Sequence, residues 1–260
     1  MGSPGADLSA RLDALRARLV AIWARVIALI PREAEKEAFT LWVVCFAAIV
    51  VAFPVAQPAA KLVATVGFLY LPVLSMDRRH EDYADLGLST RTIGRDVRQF
   101  LVVGAVVFPI FILGYVAFTQ AFAFMPPQWV KVFTPYAALP TFHFKWPDRF
   151  LEWTVDQLFV VALPEEFFYR GYVQTRLRDA WPKGRLFLGA RLGPAFWVTA
   201  LLFALGHLAI FQVWRLAVFF PALLFGWMRE RSGSVVGAAL MHASSNLLIM
   251  VLDASFFGTR

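Results

Sequence analysis

The sequence predicts an all-α fold: a polytopic membrane helix bundle of about seven transmembrane helices, preceded by an amphipathic helix lying at the membrane interface. Three observations carry that expectation. Hydrophobic residues fill 59% of the 260 positions, and a mean hydropathy of +0.62 is too high for a water-soluble domain of this size. The apolar residues gather into seven stretches able to cross a hydrocarbon core about 30 Å thick, which takes roughly 20 helical residues. The basic residues are divided unevenly between alternate connections, the pattern of a chain whose topology is set by charge.

In chain order, Leu8, Leu12, Leu15, Leu19, Ile22, Val26 and Leu29 recur every three or four residues, while Arg11, Asp13, Arg16, Arg18 and Arg25 occupy the other faces. This periodicity predicts an interfacial amphipathic helix over 8–30. The spacing is also heptad-like, which makes a short coiled coil the competing reading. Pro31 ends the helix. Residues 1–38 are therefore expected to be a cytoplasmic helix and linker, ahead of a membrane domain over 39–260. Within that domain the spans are expected at 39–57, 59–76, 99–124, 153–176, 194–211, 214–229 and 235–256. With the N-terminus inside, 18 of the 25 Lys and Arg fall on the cytoplasmic side, six outside and one, Arg170, within a span. The net charge of +7 is thus a topology signal, and no nucleic-acid partner is expected. A charged helix ahead of the first apolar run argues against a secretory signal peptide. The single Cys45, inside an apolar run, excludes an intramolecular disulfide and reads as an inert buried thiol. Heavy Ala and Arg use with one Cys suits a bacterial inner membrane. The connection 125–150 is rich in Pro and aromatics, among them Pro126, Trp129, Pro135, Tyr136, Pro140, Phe142, Phe144 and Trp146. It suits the interfacial aromatic belt, with His143 an ordinary interfacial side chain, and a lid over a site is the sharper alternative.

The strongest functional signal is polar. Ionisable groups at hydrocarbon depth persist when they face one another or a wet cavity. Glu165 lies twelve residues in from Trp153, about 18 Å along a helix, near the bilayer midplane. Glu166 and Arg170 are spaced i, i+4 with the acid first, the favourable order for a helical ion pair. Glu165, about 100° around the helix, has no local cation and is free to act on water or a ligand. Pro164 cannot donate to the carbonyl of Val160, so a kink or local opening is expected just before the acids. His207 closes the fifth span, with Phe203 one turn earlier on the same face. His242 and Asn246 share a face of the seventh, where Gly237, Ala238, Ala239 and Ala243 permit close helix approach. Ser244 and Ser245 lie within two residues of His242 on a helix and point elsewhere, which argues against a serine nucleophile. One free acid, two imidazoles and a carboxamide are what water-mediated amide hydrolysis needs. A carboxylate takes the water's proton, an imidazole orients the water, and neutral donors stabilise the oxyanion.

Glu-Glu-x-x-x-Arg at 165–170, Phe-x-x-x-His at 203–207 and His-x-x-x-Asn at 242–246, in that order and within apolar helices, resemble the CAAX protease and bacteriocin-processing family of glutamic intramembrane endopeptidases. The resemblance covers roughly residues 150–250; the N-terminal third matches by hydropathy alone. It implies that Glu165 and His207 activate the attacking water, that His242 and Asn246 form the oxyanion site, and that Glu166, Arg170 and Phe203 support them without a cofactor. It further implies a membrane-tethered protein or peptide substrate, cut near its C-terminus. The extended run Leu163 to Tyr172 is similar to the myxosortase-like branch, whose substrates carry C-terminal sorting anchors.

Two rival readings use the same residues. In one, Glu165, His207 and His242 are zinc ligands and a metal-bound water is the nucleophile, although the chain lacks a His-Glu-x-x-His pair. In the other, the chain is a non-enzymatic scaffold, immunity protein or transporter, although it shows no matching halves.

Overall fold

The computed structural model describes residues 4–133 and 142–257, and its elements are almost all helices. Helix α1 (Pro4–Leu29) reaches the bundle through its C-terminal end, where Trp23 Nε1 donates to Asp77 Oδ2 at 2.9 Å and Ile27 and Ile30 join the core. Leu12, Leu15, Leu19 and Ile22 remain exposed along it. An uncovered apolar stripe between arginines is what a helix lying in the headgroup layer presents.

Helices α2 (Ala34–Ala52) and α3 (Gln57–Arg79) form a hairpin, with Pro58 pre-set in the first turn of α3 and a left-handed His80, φ 58°, ending it. Helix α2 begins inside the stretch that the sequence suggested as a linker. The reason lies in Glu37, whose fully buried carboxylate accepts from Ser75, Arg78 and Arg79 at the end of α3. Two side chains of a later helix, Tyr172 at 3.1 Å and Arg176 at 3.3 Å, complete its partners. A helical acid surrounded by guanidiniums can be buried, whereas an unpaired one would have held this turn in water.

Helix α4 (Ile93–Ala121) follows, then the short α5 (Pro127–Val132). Helix α6 runs continuously over 150–180 and is treated below. An antiparallel hairpin of β1 (Arg185–Phe187) and β2 (Ala190–Leu192) turns through Gly189 at φ +79°. Helix α7 (Pro194–Gly206) starts on Pro194. Helix α8 (Phe219–Ser232) ends at Gly233, φ 72°, and α9 (Val236–Phe257) closes the bundle.

Each of the seven expected segments overlaps a helix. By length and composition, among the described residues three are long and apolar enough to cross a membrane: α3, α4 with its flanking turns, and α9. The others fall short for physical reasons. Helix α2 opens on Glu35, Lys36 and Glu37, α6 carries the Glu165, Glu166 and Arg170 set, and α7 and α8 are 13 and 14 residues long. The molecule is an integral membrane protein, and its connections segregate. The arginines around Glu37 mark one end, together with Arg231 donating to the hairpin carbonyl of Leu188. At the other end Lys61 pairs with Asp156, and the backbone of His143 donates to the Ser255 carbonyl at 2.9 Å.

Candidate active site

Seven-residue π-helical segments of α6, Asp156–Ala162 and Phe167–Val173, flank the four α-helical residues Leu163–Glu166 that hold the acids. Such bulges re-aim side chains and concentrate at functional sites. Leu163 N donates to Leu158 O and Gln174 N to Tyr169 O, the i→i−5 pattern. Pro164 has no N–H to return to Val160, and Thr65 Oγ1 of α3 donates to that carbonyl at 2.9 Å. A neighbouring helix thus supplies the donor that Pro164 lacks, and the local departure from α geometry just before the acids takes the form of the π-helical segment Asp156–Ala162.

Glu166 and Arg170 are fully buried and pair at 3.0 Å, as their spacing predicted. Arg170 Nη2 also donates to the Ala222 carbonyl of α8 at 3.1 Å, and its guanidinium lies 4.3 Å from the Phe203 ring centroid and 5.4 Å from that of Phe225. His242 Nδ1 sits 2.9 Å from the same Glu166 oxygen. Glu166 Oε1 already accepts from the Arg170 guanidinium, so the contact reads as His242 Nδ1–H donating to it, and in the neutral ring Nε2 is left as an acceptor. That Nε2 is 4.0 Å from Glu165 Oε2, a buried oxygen with no hydrogen-bond partner among the described residues. Phe225 stacks on the His242 ring at 5.0 Å and Phe203 meets it edge-on at 5.9 Å, fixing its plane.

His207 opens a 3₁₀ turn directly after α7, with Nδ1 2.9 Å from the Phe203 carbonyl. A carbonyl can only accept, so this ring too holds its proton on Nδ1 and keeps Nε2 free as an acceptor. Phe203 packs 4.6 Å from His207 and so contacts both imidazoles. A cavity of about 760 Å³ lies against this set, walled by Trp42, Cys45, Phe46 and Phe68 of α2 and α3 on one side and by Gln157, Glu165, Tyr169 and His207 on the other. Lys61, held by Asp156 at 2.6 Å, and Arg215 also border it.

The fold thus brings Glu165, Glu166, Arg170, Phe203, His207 and His242 together. Asn246 enters differently. Its Nδ2 donates to Gln157 Oε1 at 2.9 Å, and both His242 and Asn246 back the cavity wall rather than line it. One N–H of Asn246 is taken by Gln157, and the Nδ1 proton of His242 by Glu166. Among the described residues no three His, Cys, Asp or Glu side chains are grouped to hold a metal ion, so Glu165, His207 and His242 are not arranged as three ligands. The described part of 125–150 does not line the cavity. Phe142 packs on Phe256 and Trp146 on Phe150 instead, while Pro135, Tyr136 and Pro140 lie outside the described residues.

Gln157, Thr65 and Phe225 were not singled out from the sequence, nor was the contact between Tyr169 and Gly206. A Cβ added at Gly206 would collide with the Tyr169 hydroxyl, so a glycine beside His207 is what lets the tyrosine seat there. A polar amide eight residues before Glu165, at the head of the apolar run 158–164, was the available sign of Gln157.

Residues 147–248 match the model of the Rce1-like family, type II CAAX prenyl endopeptidase. The matched segment holds Gln157 and every motif residue from Glu165 to Asn246, and none of α1 to α4. No curated protein and no solved structure matches the chain.

Proposed function

We propose, from the match of residues 147–248 to the Rce1-like family model, that the protein hydrolyses a peptide bond near the C-terminus of a membrane-tethered protein or peptide, using water activated by Glu165. The observation that carries this reading is the partnerless Oε2 of Glu165, buried on a cavity wall 4.0 Å from an imidazole nitrogen that a second, paired carboxylate holds in its accepting form. A carboxylate without a donor and beside an acceptor is a site for water. Glu165 takes one proton as the water oxygen attacks the scissile carbonyl carbon, and the carbonyl's π electrons move onto its oxygen. His207 accepts from the water's other hydrogen through Nε2 and so sets its lone pair. On collapse the C–N bond breaks, and the leaving nitrogen takes the proton held between Glu165 and His242, leaving an acid and an amine. Glu166 fixes the His242 tautomer, and Arg170 neutralises Glu166. The apolar wall from Trp42 to Phe68 accommodates the membrane-embedded part of the substrate, whether a prenylated tail or a sorting anchor.

The charge asymmetry supports an orientation with α1 and the basic connections on the cytoplasmic face of a bacterial cell membrane, and a division into the surface helix over 1–38 and a catalytic bundle over 39–260. Purified wild type and Glu165→Gln, incubated in detergent with candidate tail peptides with and without a chelator, test the mechanism by mass. Wild type should cleave with or without chelator, and the variant should lose about 10²–10⁴ in rate, the contribution of a positioned base. A chelator that abolishes cleavage, with restoration by zinc, or an unimpaired Glu165→Gln, overturns it.

A further inference from the structure

We propose that the β1–β2 hairpin is a membrane-surface anchor: its tip, Leu186, Phe187 and Leu188, enters the headgroup layer, where Lys183, Arg185 and Arg191 hold the phosphates of anionic lipids. Such an anchor requires nothing of the proposed hydrolysis. Leu186, Phe187 and Leu188 are 75%, 57% and 66% exposed, three consecutive large apolar side chains on a connection between helices. The turn itself does not call for them. Leu188 and Gly189 form a two-residue hairpin turn with φ of 45° and +79°, a geometry that favours Asn, Asp or Gly, so a leucine sits there at a steric cost.

Two contacts set the hairpin at the level of the bilayer surface. At its base, Trp181 Nε1 donates to Glu35 Oε2 at 2.7 Å and the indole lies 6.2 Å from the Phe39 ring, level with the start of α2, where α1 arrives from the headgroup layer. At its tip, Arg231 Nη1 donates to the Leu188 carbonyl at 3.3 Å while its guanidinium lies 5.2 Å from the Trp227 ring centroid. The tip therefore lies back along the last turn of α8 instead of projecting beyond the helix ends. Exposed Trp197 and Leu201, i, i+4 on the neighbouring α7, present lipid with an apolar stripe that has a tryptophan at its interfacial end. Leu186 and Arg191 oppose each other on one face of the ribbon, Phe187 and Ala190 on the other, so exposed apolar groups stand on both faces and at the turn. A protein surface would cover one face, whereas a lipid layer surrounds both. The charge fits an anionic layer. Residues 181–193 include Lys183, Arg185 and Arg191 and no acid, and none of the three has a carboxylate partner among the described residues. The neighbouring acids are engaged, Asp179 with Arg176 at 3.7 Å and Glu230 with Arg178 at 3.6 Å. Cations flanking an apolar wedge are what an anionic leaflet attracts.

The test uses the full chain with Cys45→Ala, in nanodiscs of phosphatidylcholine and phosphatidylglycerol, carrying one nitroxide at Phe187→Cys or Leu188→Cys. Val106→Cys on the exposed face of α4 is the lipid reference, Arg91→Cys the aqueous one, and thermal unfolding checks folding. Collisions with oxygen and with a water-soluble nickel chelate should place both tip labels about 5–10 Å into the headgroup and acyl boundary. A bimane at the same positions should be quenched about fivefold more by headgroup-spin-labelled phosphatidylglycerol than by its phosphatidylcholine analogue at equal mole fraction, the enrichment that one surface cation provides. That excess should vanish when Lys183→Gln, Arg185→Gln and Arg191→Gln are combined. Tip labels that meet the nickel chelate as freely as the Arg91→Cys label overturn the anchor. Labels shielded from both reagents, with dipolar broadening between copies, assign the tip to a second copy and overturn it as well. Equal quenching by the two lipids, or an excess that survives the triple variant, overturns the anionic headgroup contact. Either tip label decides the outcome if the other variant fails to fold.

Discussion

Arg170→Met asks whether the cation at the centre of the site is an electrostatic necessity. Methionine fills much of the same space with apolar atoms, so the change isolates charge and hydrogen bonding. Three things are lost: the 3.0 Å pair with Glu166, the 3.1 Å bond to the Ala222 carbonyl, and the contacts with the Phe203 and Phe225 rings. The carbonyl lies within α8, where the helix provides its own donor, so that loss is small. The ring contacts are worth about 1 kcal/mol. The dominant cost is Glu166, left as a buried charge without its counterion, for which about 3–5 kcal/mol is the measured scale. His242 still donates to Glu166, which holds the total near the lower half of that range. The charge argument makes a sharper statement about the double variant: Glu166→Gln with Arg170→Met removes both charges and keeps an acceptor for His242, so it should recover about 2 kcal/mol of the loss. Equilibrium unfolding in mixed micelles, followed by tryptophan fluorescence, reads both values. A single variant costing under about 1 kcal/mol, or a double variant less stable than the single, would refute the electrostatic account.

Other consequences can be checked with the same preparations. Gly206→Ala forces its new methyl against the Tyr169 hydroxyl and should cost about 1–3 kcal/mol, together with at least tenfold in cleavage as the neighbouring His207 shifts; adding Tyr169→Phe should restore most of both. Glu37→Gln strips a buried charge partner from Arg78 and Arg79, and one of several from Arg176, and should cost about 3–5 kcal/mol, while Glu33→Gln, in an exposed pair with Lys36, should stay within about 0.5 kcal/mol by the same unfolding assay. Thr65→Val withdraws the donor from the Val160 carbonyl beside Pro164 and should cost about 0.6–1.7 kcal/mol, the range for hydrogen bonds between membrane helices.

Hydropathy located the helices well because each apolar run overlaps one, although among the described residues only three are long and apolar enough to cross a membrane. It missed the true start of α2, since Glu37 looks like a solvated linker acid until Arg78, Arg79 and Arg176 arrive from elsewhere in the chain. The π-helical turns of α6 were invisible for another reason: α and π bonding differ by one residue in partner, and two turns of apolar sequence satisfy either. Within the site, the Glu166 and Arg170 pair was readable because it is local, at i, i+4. Contacts such as His242 with Glu166 and Asn246 with Gln157 join residues 76 and 89 positions apart, so the sequence named three of the four partners without saying which would meet. Gln157 was overlooked because a lone amide near the end of a span ordinarily reads as an interfacial side chain.

The two walls of the cavity have different origins. Trp42, Cys45, Phe46 and Phe68 come from the first hairpin, whereas Gln157, Glu165, Tyr169 and His207 come from the segment that carries the family signature. On the proposed reading, the polar groups that act on the bond and much of the apolar face opposite them lie in separate stretches of polypeptide. The match over 147–248 therefore bears on the proposed reaction, while the shape of the space that a guest would enter also depends on the first 80 residues, which lie outside it.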